Sequence, residues 1–139
     1  MSWEFFEKVK ELGLPSGSYA IFGSGPMAVR GLRECGDIDL IVTDELFEEY
    51  KSASGWELKD VGGREILAKD GVEMGPGWWP GEWDIEQLIE DADIIENLPF
   101  VRLVEVLKWK RLAKREKDLK DIEIIEDYFK KQGVAKLEK

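Results

Sequence analysis

Residues 22–43 read Phe22-Gly23-Ser24-Gly25-Pro26-Met27-Ala28-Val29-Arg30-Gly31-Leu32-Arg33-Glu34-Cys35-Gly36-Asp37-Ile38-Asp39-Leu40-Ile41-Val42-Thr43. From Asp37 to Thr43 the pattern alternates with period two, which predicts a strand with both aspartates on one face and Ile38, Leu40 and Val42 on the other. Before it, Gly25 to Gly31 predicts a short helix that tolerates Pro26 in its first turn. Gly23-Ser24 is then a turn that leaves backbone N–H groups and a hydroxyl free to hold a phosphate. Two carboxylates aimed at one place can share divalent cations. An isolated Asp-x-Asp is common on solvent-facing strands. Here the glycine turn, the short helix and the apolar strand that follows raise it to a candidate site.

Composition narrows the chemistry that such a site can use. The 139 residues hold no histidine and one cysteine. Histidine-based triads, histidine general bases and zinc clusters are therefore excluded, and Cys35 is read as a small packing residue. Metal chemistry must use oxygen ligands, which favour Mg²⁺ or Mn²⁺, with Ca²⁺ as a further hard cation. A net charge of −10 argues against coating nucleic acid through a general positive field. The absence of a signal-like start and of any long apolar run predicts a cytoplasmic protein with no membrane span.

Upstream, Ser2 is placed to cap a helix that carries Phe5, Phe6, Val9 and Leu12 at helical spacing and stops at Gly13. Ser18 to Phe22 reads as a buried strand. Downstream, Asp44 is predicted to cap a helix to Tyr50. Three short antiparallel strands follow, Trp56–Val61, Arg64–Lys69 and Val72–Met74, joined at Gly62-Gly63 and Asp70-Gly71. The Gly75–Gly81 stretch is a loop, and its Trp78 and Trp79, with Trp83, either close over the core or stack on a base or partner. Asp84 caps a helix through Asp91, and one strand is expected within Ile94–Val101. Beyond Arg102 the pattern is helical, with Leu103, Val106, Leu107 and Leu112 on one face. A last helix carries Leu119, Ile122, Ile125 and Phe129. The sum is an α/β (α+β) chain of one domain: a mixed, largely antiparallel sheet flanked by helices over about 14–101, then C-terminal helices over about 102–133.

The run from Gly23 to Leu40 resembles the signature of the nucleotidyltransferase fold of the DNA polymerase beta superfamily, closest to its small prokaryotic branch. Lys110-Arg111-Leu112-Ala113-Lys114-Arg115-Glu116-Lys117-Asp118-Leu119-Lys120-Asp121-Ile122 is similar to a second run of that family. The resemblance implies that Gly23 and Ser24 contact nucleotide phosphates, that Asp37 and Asp39 hold Mg²⁺ or Mn²⁺, and that Lys110 approaches the triphosphate. Arg30 and Arg33 can meet phosphate or pair with surface carboxylates. The third carboxylate of the family has no motif of its own here. Glu73, alternating with Val72 and Met74, is the candidate, and Asp84 is held in reserve. Lys114 with Asp118, and Lys117 with Asp121, stand four apart as on any solvated helix, which reads Arg115 and Lys117 as structural.

The implied activity is transfer of a nucleoside monophosphate from a nucleoside triphosphate, ATP first, to an acceptor hydroxyl on a small molecule, an RNA or a protein. The alternative is an inactive nucleotide-binding or antitoxin-like interaction module on the same fold.

Overall fold

The computed structural model describes residues 3–34, 36–53, 55–78 and 80–133. The expectations for Ser2, Cys35 and Trp79 lie outside these residues. The elements run α1 (Trp3–Leu12), β1 (Tyr19–Phe22), α2 (Gly25–Ala28), β2 (Ile38–Val42), α3 (Asp44–Lys51), β3 (Glu57–Val61) and β4 (Arg64–Lys69). They continue as β5 (Val72–Gly75), α4 (Ile85–Glu90), β6 (Asp93–Ile95), β7 (Leu98–Phe100), α5 (Leu103–Ala113) and α6 (Glu116–Lys131). The strands form one mixed sheet in the order β3-β4-β5-β2-β1-β7-β6. The β2/β5 and β1/β7 pairings are parallel and the others antiparallel. This is the expected α+β architecture with C-terminal helices.

Strand alternation splits the interior in two. Tyr19, Ile21, Ile38, Leu40, Val72 and Met74 face Phe6 and Val9 of α1 and Phe47 of α3. Ala20 and Ile41 face a second cluster with Met27, Leu88, Val106 and Ile125 from α2, α4, α5 and α6. Phe6 and Phe100 meet edge to face with ring centroids 5.3 Å apart. Burying each such side chain contributes roughly 1.5–3 kcal/mol. The second cluster draws no residue from β3, β4 or β5. On that face the helical layer stops at β2 and the outer strands are left open.

Five local expectations need correction. Asp37 lies just before β2, and α2 stops at Ala28 rather than Gly31. The cap of α3 is Thr43, whose Oγ1 accepts from the Leu46 N–H at 3.2 Å. The single strand within 94–101 is a hairpin of β6 and β7, turned at Glu96 and Asn97 with φ of 53° and 68°. That turn contains no glycine, so its strongest signal is missing. Leu112, read as continuing the face of Leu103, Val106 and Leu107, and Leu119, read with the apolar residues of the last helix, are 56% and 55% exposed. The helical register breaks between them at Lys114, which takes a left-handed φ of 51°. Other expectations hold: the Asp84 side chain accepts from Gln87 N–H at 3.1 Å to cap α4, and Trp78 is buried.

Candidate functional site

The site begins where β1 ends. Phe22 is the register partner of Asp39 across the antiparallel β1/β2 pair. Gly23 then turns the chain at φ 72°, and a Cβ built there would stand 2.7 Å from Asp39 Oδ2. Both facts demand glycine: the left-handed backbone and the close approach of the carboxylate. Ser24 follows as the residue preceding α2, and its side chain makes no capping bond to that helix.

Asp39 is also the register partner of Glu73 across the parallel β2/β5 pair. Partners in register project to the same side of a sheet, so the two carboxylates are neighbours on the face where the helical layer ends. Asp37 lies two residues upstream of Asp39 and is exposed. Burial pushes the Asp39 carboxyl up to about 7, and the negative charges of Asp37 and Glu73 add to the rise. Lys117 and Arg115 act in the opposite direction on Asp39. Lys59 Nζ stands 4.0 Å from Glu73 Oε2.

Carboxylate oxygens as the sole donors suit a hard cation such as Mg²⁺ or Mn²⁺. Such an ion would relieve the repulsion that adds to the effect of burial at Asp39. Among the described residues no group of three carboxylates converges closely enough, as placed, to hold one metal ion. Register joins Asp39 to Glu73, and the chain carries Asp37 beside them. Asp84, the reserve candidate, is occupied in capping α4.

The basic residues assigned to phosphate are placed elsewhere. Lys110 is 3% exposed. Its Nζ stands 3.0 Å from Asp121 Oδ2 and 3.4 Å from Asp118 Oδ1. Arg33 pairs with the same Asp121 oxygen at 2.8 Å, and Arg30 pairs with Asp93 at 3.1 Å. Arg115 clasps Asp118 through Nε at 2.7 Å and Nη2 at 3.0 Å. Burial works to raise the Asp118 carboxyl, but the Arg115 hydrogen bonds and the Lys110 charge outweigh it and hold it below the usual range. The expected surface pairs Lys114–Asp118 and Lys117–Asp121 are thus replaced by a buried network. It ties the loop after α2 to α5 and α6.

Comparison of the chain with models of known families, with curated proteins and with solved structures finds no match.

Sequence reasoning ranked Arg115 and Lys117 as structural and Lys110 as the phosphate cation. Lys117, which is exposed and in no ion pair among the described residues, acts with Arg115 on the charge of Asp39. The signal that would have revealed this is the helix break after Ala113. It turns Lys110 inward against Asp118 and Asp121 and sets the start of α6 towards β2.

Proposed function

We propose that this protein binds a nucleoside triphosphate with Mg²⁺ or Mn²⁺ and transfers the nucleoside monophosphate to an acceptor hydroxyl. The observation that carries the reading is the parallel register of Asp39 with Glu73, beside Asp37 and against the Gly23-Ser24 turn. Asp37, Asp39 and Glu73 would hold the cations, which neutralise charge on the attacking and leaving oxygens. Gly23 and Ser24 would orient the phosphates, with Lys117 in the role first given to Lys110. The acceptor oxygen attacks the α-phosphorus as the bond from that phosphorus to the bridging oxygen breaks. Pyrophosphate leaves with the electron pair, and the hydroxyl proton passes to Glu73 at the open edge of the group.

The reading is tested with labelled nucleoside triphosphates, Mg²⁺ and a cell extract. A labelled acceptor product formed by the wild type and absent with Asp37→Asn/Asp39→Asn is the expected result. Unchanged nucleotide and Mg²⁺ binding in that double variant would sink it. The alternative of a nucleotide-binding or antitoxin-like module without transfer draws support from the ion pairing of Lys110 and Arg33, which removes two cations from phosphate duty. Tight Mg²⁺-dependent nucleotide binding with no labelled product from any acceptor would favour it.

A further inference from the structure

β3 stands at one end of the sheet, paired with β4 on its inner side. All five of its residues are exposed, so among the described residues its outer edge is uncovered. Such an edge offers a row of free N–H and C=O groups to a further strand. The hairpin determines which residues carry them. Gly62-Gly63, at φ 60° and 86°, joins the two strands with Val61 opposite Arg64. A two-residue turn of this kind closes on a hydrogen-bonded pair, and such pairs alternate along an antiparallel ladder. Val61, Lys59 and Glu57 therefore turn their backbone groups in to β4, while Leu58 and Asp60 turn theirs out. Side chains alternate in the same step. Glu57 and Lys59 lie on the open face, in register through Ala68 with Glu73 and Asp39. Leu58, 47% exposed, lies on the other face, opposite Leu67.

An antiparallel strand of the same sequence can meet this edge only in registers that keep each side chain on its own face. Centred on Glu57, Lys59 or Asp60, the register sets like charge against like. Centred on Val61, it runs into the turn. Centred on Leu58, it sets leucine against leucine and, on either side, Glu57 of one chain against Lys59 of the other. Opposite charges directly across a strand pair stabilise it, and like charges destabilise it. Leu58 also turns its backbone groups outward, so this centre is a hydrogen-bonded pair. Glu57 and Lys59 then form the closer, non-hydrogen-bonded pairs. Lys59 is available for this, since it stands 4.0 Å from Glu73, the outer limit of an ion pair. The opposite edge of the sheet, β6, has three residues to offer.

We propose that a second copy of this chain pairs with β3 in the register centred on Leu58, about a two-fold axis normal to the sheet. The two sheets then continue as one, and both Asp39–Glu73 groups open on the same side. One short strand pair lies at the small end of specific interfaces, which gives a reversible, concentration-dependent dimer. The pairing does not depend on any transfer activity.

Sedimentation equilibrium of the full chain at physiological salt tests it. The wild type is expected to pass from monomer to dimer between roughly 1 μM and 1 mM. Glu57→Lys sets lysine against Lys59 twice and is expected to weaken association about tenfold or more. The same change reduces the net charge of −10, so a general repulsion between copies would predict the reverse. Glu57→Lys/Lys59→Glu exchanges the partners of both pairs and is expected to restore the wild-type constant. Both positions are exposed, and surface changes of this kind leave the fold intact. Ile94→Lys, on β6, is expected to have no effect. A wild type that stays monomeric throughout overturns the proposal. So does association that Glu57→Lys leaves unchanged or strengthens, or a double variant no better than the single one. Loss of the dimer in Ile94→Lys would move the interface to β6 and overturn it as well.

Discussion

Two groups of charged side chains lie within this small chain, and they are built on opposite terms. Around Lys110, opposite charges alternate: Arg33, Asp121, Lys110, Asp118 and Arg115 form a continuous run of pairs at 2.7–3.4 Å. Around Asp39, carboxylates face carboxylates, and burial, with the charges of its neighbours added, pushes the central one up to about 7. The first group is complete in itself and has little left to offer a ligand. The second is left with a repulsion that a bound cation would cancel. Desolvated like charges cost stability, and active sites are where that cost is commonly found. A completed network joining three segments is the signature of architecture.

The contrast is broken most severely at Lys110. Lys110→Ala leaves Asp118 and Asp121 buried with fewer partners, and the expected loss is about 3–5 kcal/mol, read from the urea midpoint. A variant of unchanged stability that no longer binds triphosphate would return Lys110 to the phosphate role and erase the distinction between the two groups.

At Asp39 the expected sign is the reverse. Asp39→Asn removes the repelled charge, so the metal-free protein gains on the order of 2–3 kcal/mol at pH 8, while Mg²⁺-dependent nucleotide binding is lost. A destabilised variant would show that the carboxylate makes a structural contribution.

The same shift sets a pH slope. The unfolded Asp39 titrates near ~3.9 and the folded one at about 7, so between these values the folded state binds the extra proton. Stability then falls as pH rises from about 4 to 7 and levels off above it. Asp118 has the opposite sign: its depressed carboxyl stabilises the fold above the unfolded value and loses that contribution as pH drops through the folded one. The metal-free wild type should therefore melt several degrees higher at pH 5 than at pH 8. Asp39→Asn should flatten that difference and leave the acid limb intact. A wild-type Tm that rises steadily to pH 8 would contradict the raised carboxyl.

Lys117 supplies the smallest change in stability. Lys117→Ala should leave it within about 0.5 kcal/mol and weaken triphosphate binding about tenfold, equivalent to ~1.4 kcal/mol. Equal, slight losses for triphosphate and nucleoside would place Lys117 outside the phosphate site.

Much of the candidate site was legible because strand alternation and turn chemistry act locally. Gly62-Gly63 and Asp70-Gly71 announced the hairpins, and all four residues take positive φ. The alternation of Val72, Glu73 and Met74 placed Glu73 on the open face. That β5 runs parallel to β2 with Glu73 opposite Asp39 is a tertiary fact with no local signal. The basic run misled for a related reason. Spacing of four on one helix suggested surface pairs, whereas the break at Lys114 folds the run back on itself. The partners of Lys110 are therefore eight and eleven residues away. Glu96-Asn97 formed a turn without glycine, and one strand became two.

Beside the carboxylates lies an aromatic trio whose consequence is optical. The ring centroid of Trp78 is 5.0 Å from that of Trp83 and 5.5 Å from that of Trp109, and Phe22, register partner of Asp39, packs on Trp78 at 4.8 Å. At such separations indole transition dipoles interact, so the trio contributes to the near-ultraviolet circular dichroism of the folded protein. Arg115 lies over the Trp109 ring at 4.9 Å and also acts on the charge of Asp39. Near-ultraviolet circular dichroism is thus expected to change when the charge at Asp39 or the position of Arg115 changes, a signal readable without any label.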